Sequence, residues 1–528
     1  MNYSRVAAIV LVVICVSCLS GITQEINSHD RQVYYNVRNF GAVGNGTVYD
    51  TETIQKTIDS AFSNGGGTVF FPAGVYLTKT LVLKDNITLR IDNGATILGS
   101  TELSGFDPEK GSFEDSGGKK FGNALIFAQD KKNIRITGDG IIDGQGYTKY
   151  YPNDTGSIRP NIIRLLKCSN VKITDITLRN SAAWVSHFVG CEDLLISGVT
   201  IRSYSNKNND GIDIVGCQRV TITNCNIDTE DDSIVLKALS EKSCRDIVIS
   251  NCIVSGLKSA IKTGTESLGG FENITISNCT FYGTRGISLI TVDGGTLNNV
   301  TISNISMRDS YAVIVMRLGN RMRPYFVSEE KRPKRPGEFK NVSISNVQAV
   351  NVTESNDFIS GIPGYKIENV SIRDIHVHLI GGGIREDSDR AVPELTTEYP
   401  KAKMFGVLPS SGMYIRHAKN IKLHNIRYSY TDADRRSVAV CEDVDYITIE
   451  DLSAETSEDS APFLQLKDTQ HADIRFCKPI GNSDTFLSVE GSSGDITLFR
   501  NTLKNCKNKY ILKNETDPDA VQILQPDF

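Results

Sequence analysis

Apolar and polar positions alternate in short phrases that recur along most of the chain. Asn170-Val171-Lys172-Ile173-Thr174, Arg219-Val220-Thr221-Ile222-Thr223, Asp246-Ile247-Val248-Ile249-Ser250, Asn273-Ile274-Thr275-Ile276-Ser277 and Asn299-Val300-Thr301-Ile302-Ser303 share one form, with apolar residues second and fourth. A two-residue period is that of a strand with one buried face. The markers Val171, Leu194, Val220, Ile247, Ile274 and Val300 step by 23, 26, 27, 27 and 26 residues. The series continues at Val342, Val370, Ile421, Ile447, Ile474 and Ile496, with earlier copies at Ile87 and Ile134. Alternation repeated at this interval predicts an all-β solenoid of stacked coils, one parallel β-helix rather than a string of helical pairs.

Punctuation between the phrases supports the same architecture. Asn224, Asn251, Asn278 and Asn304 follow successive phrases, where a left-handed turn residue able to bond its copies above and below is expected. Cys225, Cys252 and Cys279 keep the same rhythm and are expected to form an internal stack of small side chains. The Asn-x-Ser/Thr matches at Asn273 and Asn299 are by-products of this turn pattern. Ahead of the coils, Ile54, Ile58 and Ala61 predict a short helix from about Thr51 to Ser63, placed to cap the open end of the first coil. A Gly65-Gly66-Gly67 turn then leads into a strand. The phrase weakens after Ile496, and the tail is expected to cover the last coil.

Four intervals exceed one coil. The 47 residues from Ile87 to Ile134 leave room for an unmarked coil, whereas 37 residues before Val171, 42 before Val342 and 51 before Ile421 read as insertions pushed outward as loops. The second insertion region carries Arg317, Arg321, Arg323, Lys331, Arg332, Lys334 and Arg335, either a solvated basic loop or a positive wall for an anionic sugar. The third contains Gly381-Gly382-Gly383 and leads to Arg416 and His417, expected on a loop closing one end of a groove.

Composition narrows the class. The 528 residues carry a net charge of −5, which gives no reason to expect a nucleic-acid partner, and the 44 glycines suit many turns. Arg5, an apolar run from Val6 to Val16 and small residues after it make 1–20 an export signal too short to span a membrane comfortably. Residues 21–35 then read as a linker and 36–528 as the solenoid with its end caps. The expectation is a secreted or periplasmic monomer with no membrane span; lipid anchoring at Cys18 is a second possibility.

Two acidic clusters supply the candidate chemistry: Asn208-Asn209-Asp210-Gly211-Ile212-Asp213 and Glu230-Asp231-Asp232-Ser233. If Ile212, Ile234, Ile261 and Ile287 are inward markers of successive coils, Asp210 and Asp232 each lie two residues before a marker. They are then stacked neighbours about 4.8 Å apart, with Asp231 alongside. Crowded carboxyls keep one member protonated while another stays ionised, the division that glycosidic cleavage requires. Calcium coordination or an ordinary polar turn would use the same residues.

The ordered set Phe40-Gly41-Ala42, Gly65-Gly66-Gly67-Thr68-Val69, Pro72-Ala73-Gly74-Val75-Tyr76, Gly140-Ile141-Ile142-Asp143-Gly144-Gln145-Gly146, Trp184 with His187, Asn209-Asp210-Gly211-Ile212-Asp213 and Asp231-Asp232 resembles glycoside hydrolase family 28, the polygalacturonase family, over roughly residues 36–310. The resemblance implies a right-handed β-helix and hydrolysis with inversion, without metal or other cofactor. It implies Asp231 as general acid, Asp210 and Asp232 as the residues that hold and deprotonate water, and Asp213 as a supporting residue. A pectic polysaccharide or oligosaccharide is the implied substrate.

Two of the family's motifs are missing. Its Gly-His-Gly motif would fall where this chain has Ser259-Ala260-Ile261-Lys262, and its uronate-gripping Arg-Ile-Lys motif where it has Arg285-Gly286-Ile287-Ser288. Column counting offers Lys262 and Arg285 as replacement grips; Lys262 could instead neutralise the acids or pair with Glu266. Trp184, in the column of Asp210, is a candidate sugar platform or a packing residue, and His187 is a hydrogen-bonding support. The functions in view are a polygalacturonase-like or rhamnogalacturonan hydrolase, a β-helical polysaccharide lyase, and a non-catalytic glycan-binding protein.

Overall fold

The structure is a computed structural model that describes residues 34–106, 113–114, 120–153, 159–323, 328–354, 357–514 and 516–524. The proposed export signal and Cys18 lie outside the described residues. Among those described, no helix is long and apolar enough to cross a membrane.

The chain winds as a right-handed parallel β-helix whose coils contribute to three stacked sheets. Sheet I contains the phrases read from the sequence, and its register is continuous. Ile134 pairs with Val171, Val171 with Leu194, Leu194 with Val220 and Val220 with Ile247. Ile247 continues to Ile274, Val300, Val342, Val370, Ile421 and Ile447. Sheet II holds short strands such as Asn226–Thr229 and Ile253–Gly256. Sheet III holds Ile212–Val215, Ile234–Ala238, Ile261–Ser267 and Ile287–Thr291, with Ile212, Ile234, Ile261 and Ile287 in one column. That column points into a continuous apolar core running along the axis.

Turn chemistry holds the coils in register. Asn278 and Asn304 both adopt left-handed backbone, at φ 55 and 56°. The Asn304 amide donates to Asn278 at 2.9 Å and Asn346 donates to Asn304 at 2.8 Å, building the expected ladder. Cys225, Cys252 and Cys279 are buried, and all ten cysteines among the described residues are free thiols. Cys168, Cys191 and Cys217 are buried as well, each close to the next.

The helix spans Thr51–Ser63 and buries Ile54, Thr57, Ile58 and Ala61 over the first coils. The turn after it needs glycine: at Gly66, φ is +120° and a Cβ would come within 2.6 Å of the Asn86 carbonyl oxygen. The first strand begins at Tyr34, inside the stretch assigned to the linker, and pairs with Gly67–Phe71.

Four expectations change. No coil hides between Ile87 and Ile134, because Leu89 pairs directly with Ile136 and the extra residues fall between the strands Ala95–Gly99 and Ala124–Gln129. Ile447 pairs with Ala472 rather than Ile474; alanine is too small to mark the phrase by apolar pattern, so the eye slips by one pleat. The tail adds strands instead of only covering the end: Cys506–Lys513 stacks on Ser483–Glu490, and Val521–Leu524 on Gly494–Phe499. Arg416 and His417 lie within the strand Ser410–Asp432, and His417 is held by Asp443 at 2.6 Å and Glu394 at 3.2 Å.

The insertions are not scattered. The chain leaves the corner between sheets II and III after Gly99, after Asp143 and after Gly381, and leaves the far end of sheet III after Leu318. Sheet III is therefore flanked along both edges.

Candidate active site

The turn 230–233, between Asn226–Thr229 and Ile234–Ala238, occupies that same corner. Its shape is set locally. The Thr229 hydroxyl donates to the Asp231 carbonyl at 2.9 Å and shares a 2.9 Å bond with the Ser233 hydroxyl, while the Asp232 amide donates to the Asp231 carboxylate at 2.9 Å. One coil earlier, Asn209 anchors the matching turn: its amide donates to Ser181 and Ala183 carbonyls at 3.0 and 2.9 Å, and its oxygen accepts from Ser203. Arg159 ties this turn to the 144–160 insertion through the carbonyls of Ala182 and Lys207.

The register Ile212 to Ile234 stacks Asp210 on Asp232, and the Gly211 amide donates to the Asp232 carbonyl at 3.1 Å. One oxygen from each of Asp210, Asp231 and Asp232 lies within 4.8 Å of the other two, a constellation that could also hold a cation.

Their surroundings drive the three carboxyls apart. Burial, reinforced by Asp213, pushes Asp210 well up, while Lys237 at 3.4 Å opposes. Burial and neighbouring Asp232 push Asp231 up. Burial acts on Asp232 too, but the Lys262 ammonium at 2.7 Å and the Ser259 amide at 2.9 Å outweigh it and hold this carboxyl below its ordinary value. A proton carrier and an ionised base are thus adjacent in sequence.

Lys237, absent from the sequence-derived set, is central. It sits three residues after an inward marker and so shares the outward face of sheet III with Asp213. Its ammonium lies 2.6 Å from Asp213 and 3.7 Å from the centre of the Trp184 ring. Burial raises Asp213 to about 6 even against Lys237, and lysine itself is held well above its usual range by the carboxylates, so the pair is charged at neutral pH. Alternation along Ile234–Ala238 is the signal in the sequence, because it places Lys237 on the face of sheet III that carries Asp213.

Trp184 is buried, with Lys237 over its face and His187 edge-on at 4.8 Å, a packing arrangement rather than an open platform. His187 pairs with Asp213 in register and, fully buried, has its pKa held well below the ordinary histidine value by desolvation, then by Arg164 and Lys237. Lys262 is committed to Asp232 rather than Glu266, with the Tyr399 hydroxyl at 3.4 Å on its other side. Arg285 is half-buried, two coils past Asp232, and makes no side-chain hydrogen bond or ion pair with any described residue. The basic insertion does not form one positive wall: Arg317 is a buried strand residue bound to carbonyls, Arg321 pairs with Asp293 at 2.5 Å, and Lys331 with Glu241 at 2.9 Å.

The comparisons with known proteins follow the same lines. A probable polygalacturonase of Vitis vinifera is 31% identical over 212 residues, covering 38% of this chain and 43% of that one. An exo-poly-alpha-D-galacturonosidase of Dickeya chrysanthemi is 28% identical over 249 residues, covering 38% and 41%. The chain therefore spans less than half the length of these curated relatives. The Yersinia enterocolitica family 28 exopolygalacturonase superposes with a TM-score of 0.59 at 21% identity, over 85% of this chain and 79% of that one, and so shares the fold. The sequence profile described as glycosyl hydrolases family 28 matches residues 66–392, more than half of the chain, with the whole acidic corner inside the matched span; this chain belongs to that family.

Proposed function

We propose that this corner hydrolyses a glycosidic bond in a uronate-containing pectic polysaccharide or oligosaccharide. The observation that carries the proposal is the split between adjacent carboxyls, Asp231 held up and Asp232 held down within one solvent-reaching turn. Asp231 gives its proton to the leaving oxygen as the bond to the anomeric carbon breaks. Asp232, ionised, and Asp210 beside it hold the water, and Asp232 takes its proton as its oxygen joins that carbon. Asp213, Lys237, Trp184 and His187 support the acids from behind. The pectic substrates to compare are a homogalacturonan and a rhamnogalacturonan. The pattern of residues 1–20 supports export, and the protein is proposed to act as a monomer.

The resemblance implies inversion. The 4.8 Å carboxylate cluster is tighter than the roughly 6.5–9.5 Å of a two-carboxylate inverting site; we assign inversion because two stacked carboxylates, not one facing acid, hold the water. Proton NMR of the first-formed anomer tests this, and retention would overturn it.

Purified protein is incubated with pectic oligosaccharides, with and without chelator. New reducing ends without ultraviolet absorbance, unaffected by chelator, are expected. Unsaturated absorbing products would replace hydrolysis with elimination, and absence of turnover across a broad glycan panel would leave a binding protein. Asp231→Asn is expected to lower kcat by about 10²–10⁴-fold with unchanged circular dichroism. Wild-type activity should fall at alkaline pH as Asp231 loses its proton and at acid pH as Asp232 gains one, and the variant should lack the alkaline limb.

A further inference from the structure

Past the acids, in the direction of increasing residue number, the same corner carries two cations with no ion pair or side-chain hydrogen bond among the described residues. The register that places Ile234 on Ile261 and Ile261 on Ile287 puts Lys258 in the column of Asp231 one coil on, and Arg285 in the column of Asp232 two coils on. Backbone bonds fix the stack: Ser233 amide to Ser259 carbonyl at 2.9 Å, Ala260 to Gly286 at 2.9 Å and Arg285 to Lys258 at 2.8 Å. Both side chains are half-buried. Four other cations near the corner are occupied: Lys237 by Asp213, Lys262 by Asp232, Arg321 by Asp293 and Arg159 by carbonyls.

At about 4.8 Å per coil, the two charges lie roughly 5–10 Å from the acids along the axis, the reach of a sugar ring seated beside the scissile bond. One coil further, Ala312 belongs to an apolar cluster with Phe405 and Leu408 of the 382–409 insertion. The space is thus bounded by acids at one end and by packed side chains at the other.

We propose that Lys258 and Arg285 jointly bind the carboxylate of the uronic acid ring next to the scissile bond. The proposal rests on the hydrolase reading and refines it: the anion grip moves from Lys262, held by Asp232, to two cations that make no ion pair or side-chain hydrogen bond among the described residues. Arg285 can engage a carboxylate through two parallel N–H bonds, and Lys258 adds a point charge from the neighbouring coil. Lys258 also opposes the burial that raises Glu230 and Asp231, so its removal must be separated from an effect on the acids.

The test uses a galacturonate trimer and its methyl ester with wild type, Lys258→Met, Arg285→Gln and the double variant. Each single variant should lower kcat/KM on the acid trimer by about 10–100-fold, mainly through KM, while the ester loses little. Equal losses on acid and ester, or a shifted pH profile, would make these residues supports of the acid cluster and overturn the clamp; so would no loss at all. Binding is measured separately by calorimetry in an Asp231→Asn background, where the acid trimer should bind more tightly than the ester only when both cations are present. Such binding by a protein whose wild type turns over no glycan would sink the hydrolase reading and leave the clamp standing. Equal affinity for acid and ester would sink the clamp.

Discussion

A carboxyl buried in this solenoid answers to the atoms around it more than to its own chemistry, and Asp357 isolates the effect. It is buried, and its Oδ1 accepts the Val313 and Ile314 amides at 2.7 and 3.0 Å. Burial outweighs those bonds and raises the carboxyl to about 7. Against about 3.9 in the unfolded chain, the shift stabilises the fold fully below that lower value and is lost as pH rises through about 7, amounting to about 4 kcal/mol at most. Asp357→Asn keeps an acceptor for both amides and removes the ionisation. The midpoint of this variant relative to wild type should be lowest below about pH 4, rise as pH passes through about 7 and level off above it; a constant difference from about pH 4 to pH 8 would refute the account. The same competition splits Asp231 from Asp232. Their proximity could be counted from the sequence, but which would stay ionised could not, because Lys262 and the Ser259 amide reach Asp232 from the next coil. Lys237 was missed for a related reason: a lysine within an apolar strand reads as a solvent-facing residue until its carboxylate partners appear.

At the scale of the coil, the fold was legible because its rule is local and repeated. Each phrase buries alternate residues, and each left-handed asparagine lets the chain turn and bonds its copies. The register could be counted from Val171 to Ile447 for that reason, and it failed where the marker shrank to Ala472. Insertions stayed opaque, since nothing repeats within them. Asn304 tests the rule: it donates to Asn278 and accepts from Asn346 at φ 56°. Asn304→Ala loses both bonds and strains the turn, for an expected cost of about 1–2 kcal/mol on this exposed edge. Asn304→Gly loses the bonds but keeps the backbone free, so it should unfold between alanine and wild type in urea. An alanine variant as stable as the glycine one would show that the turn conformation contributes nothing.

Across the whole molecule, the proposed hydrolase reading makes the insertions the features that set what length of glycan the corner would admit. Residues 382–409 are fastened over sheet III by two buried arginines in one column: Arg317 donates to the Glu394 and Leu395 carbonyls at 2.7 and 3.0 Å, and Arg416 to Val392 and Pro393 at 2.8 and 3.0 Å. Both guanidinium groups lie 5.4 Å from the centre of the Phe405 ring. Beneath the segment, Ala312, Val315, Phe358, Tyr414 and Val440 pack against Ala402, Phe405 and Leu408, so it is a fixed wall and not a passing loop. Its Tyr399 reaches back to Lys262 and lies 5.9 Å from Arg321 of the opposite insertion. From Asp232 to Ala312 is three coils, about 14 Å, which leaves room for a chain end but not for a polymer running through. Cleavage should therefore proceed from a chain end. On polygalacturonate, the smallest saccharides should appear from the first minutes while viscosity falls slowly relative to reducing ends released. A rapid viscosity drop at low bond cleavage, with mid-length products first, would mean that the wall does not close the groove. Tyr399→Ala, made where the two insertions meet, should widen the early product range without moving the pH profile set by Asp231 and Asp232.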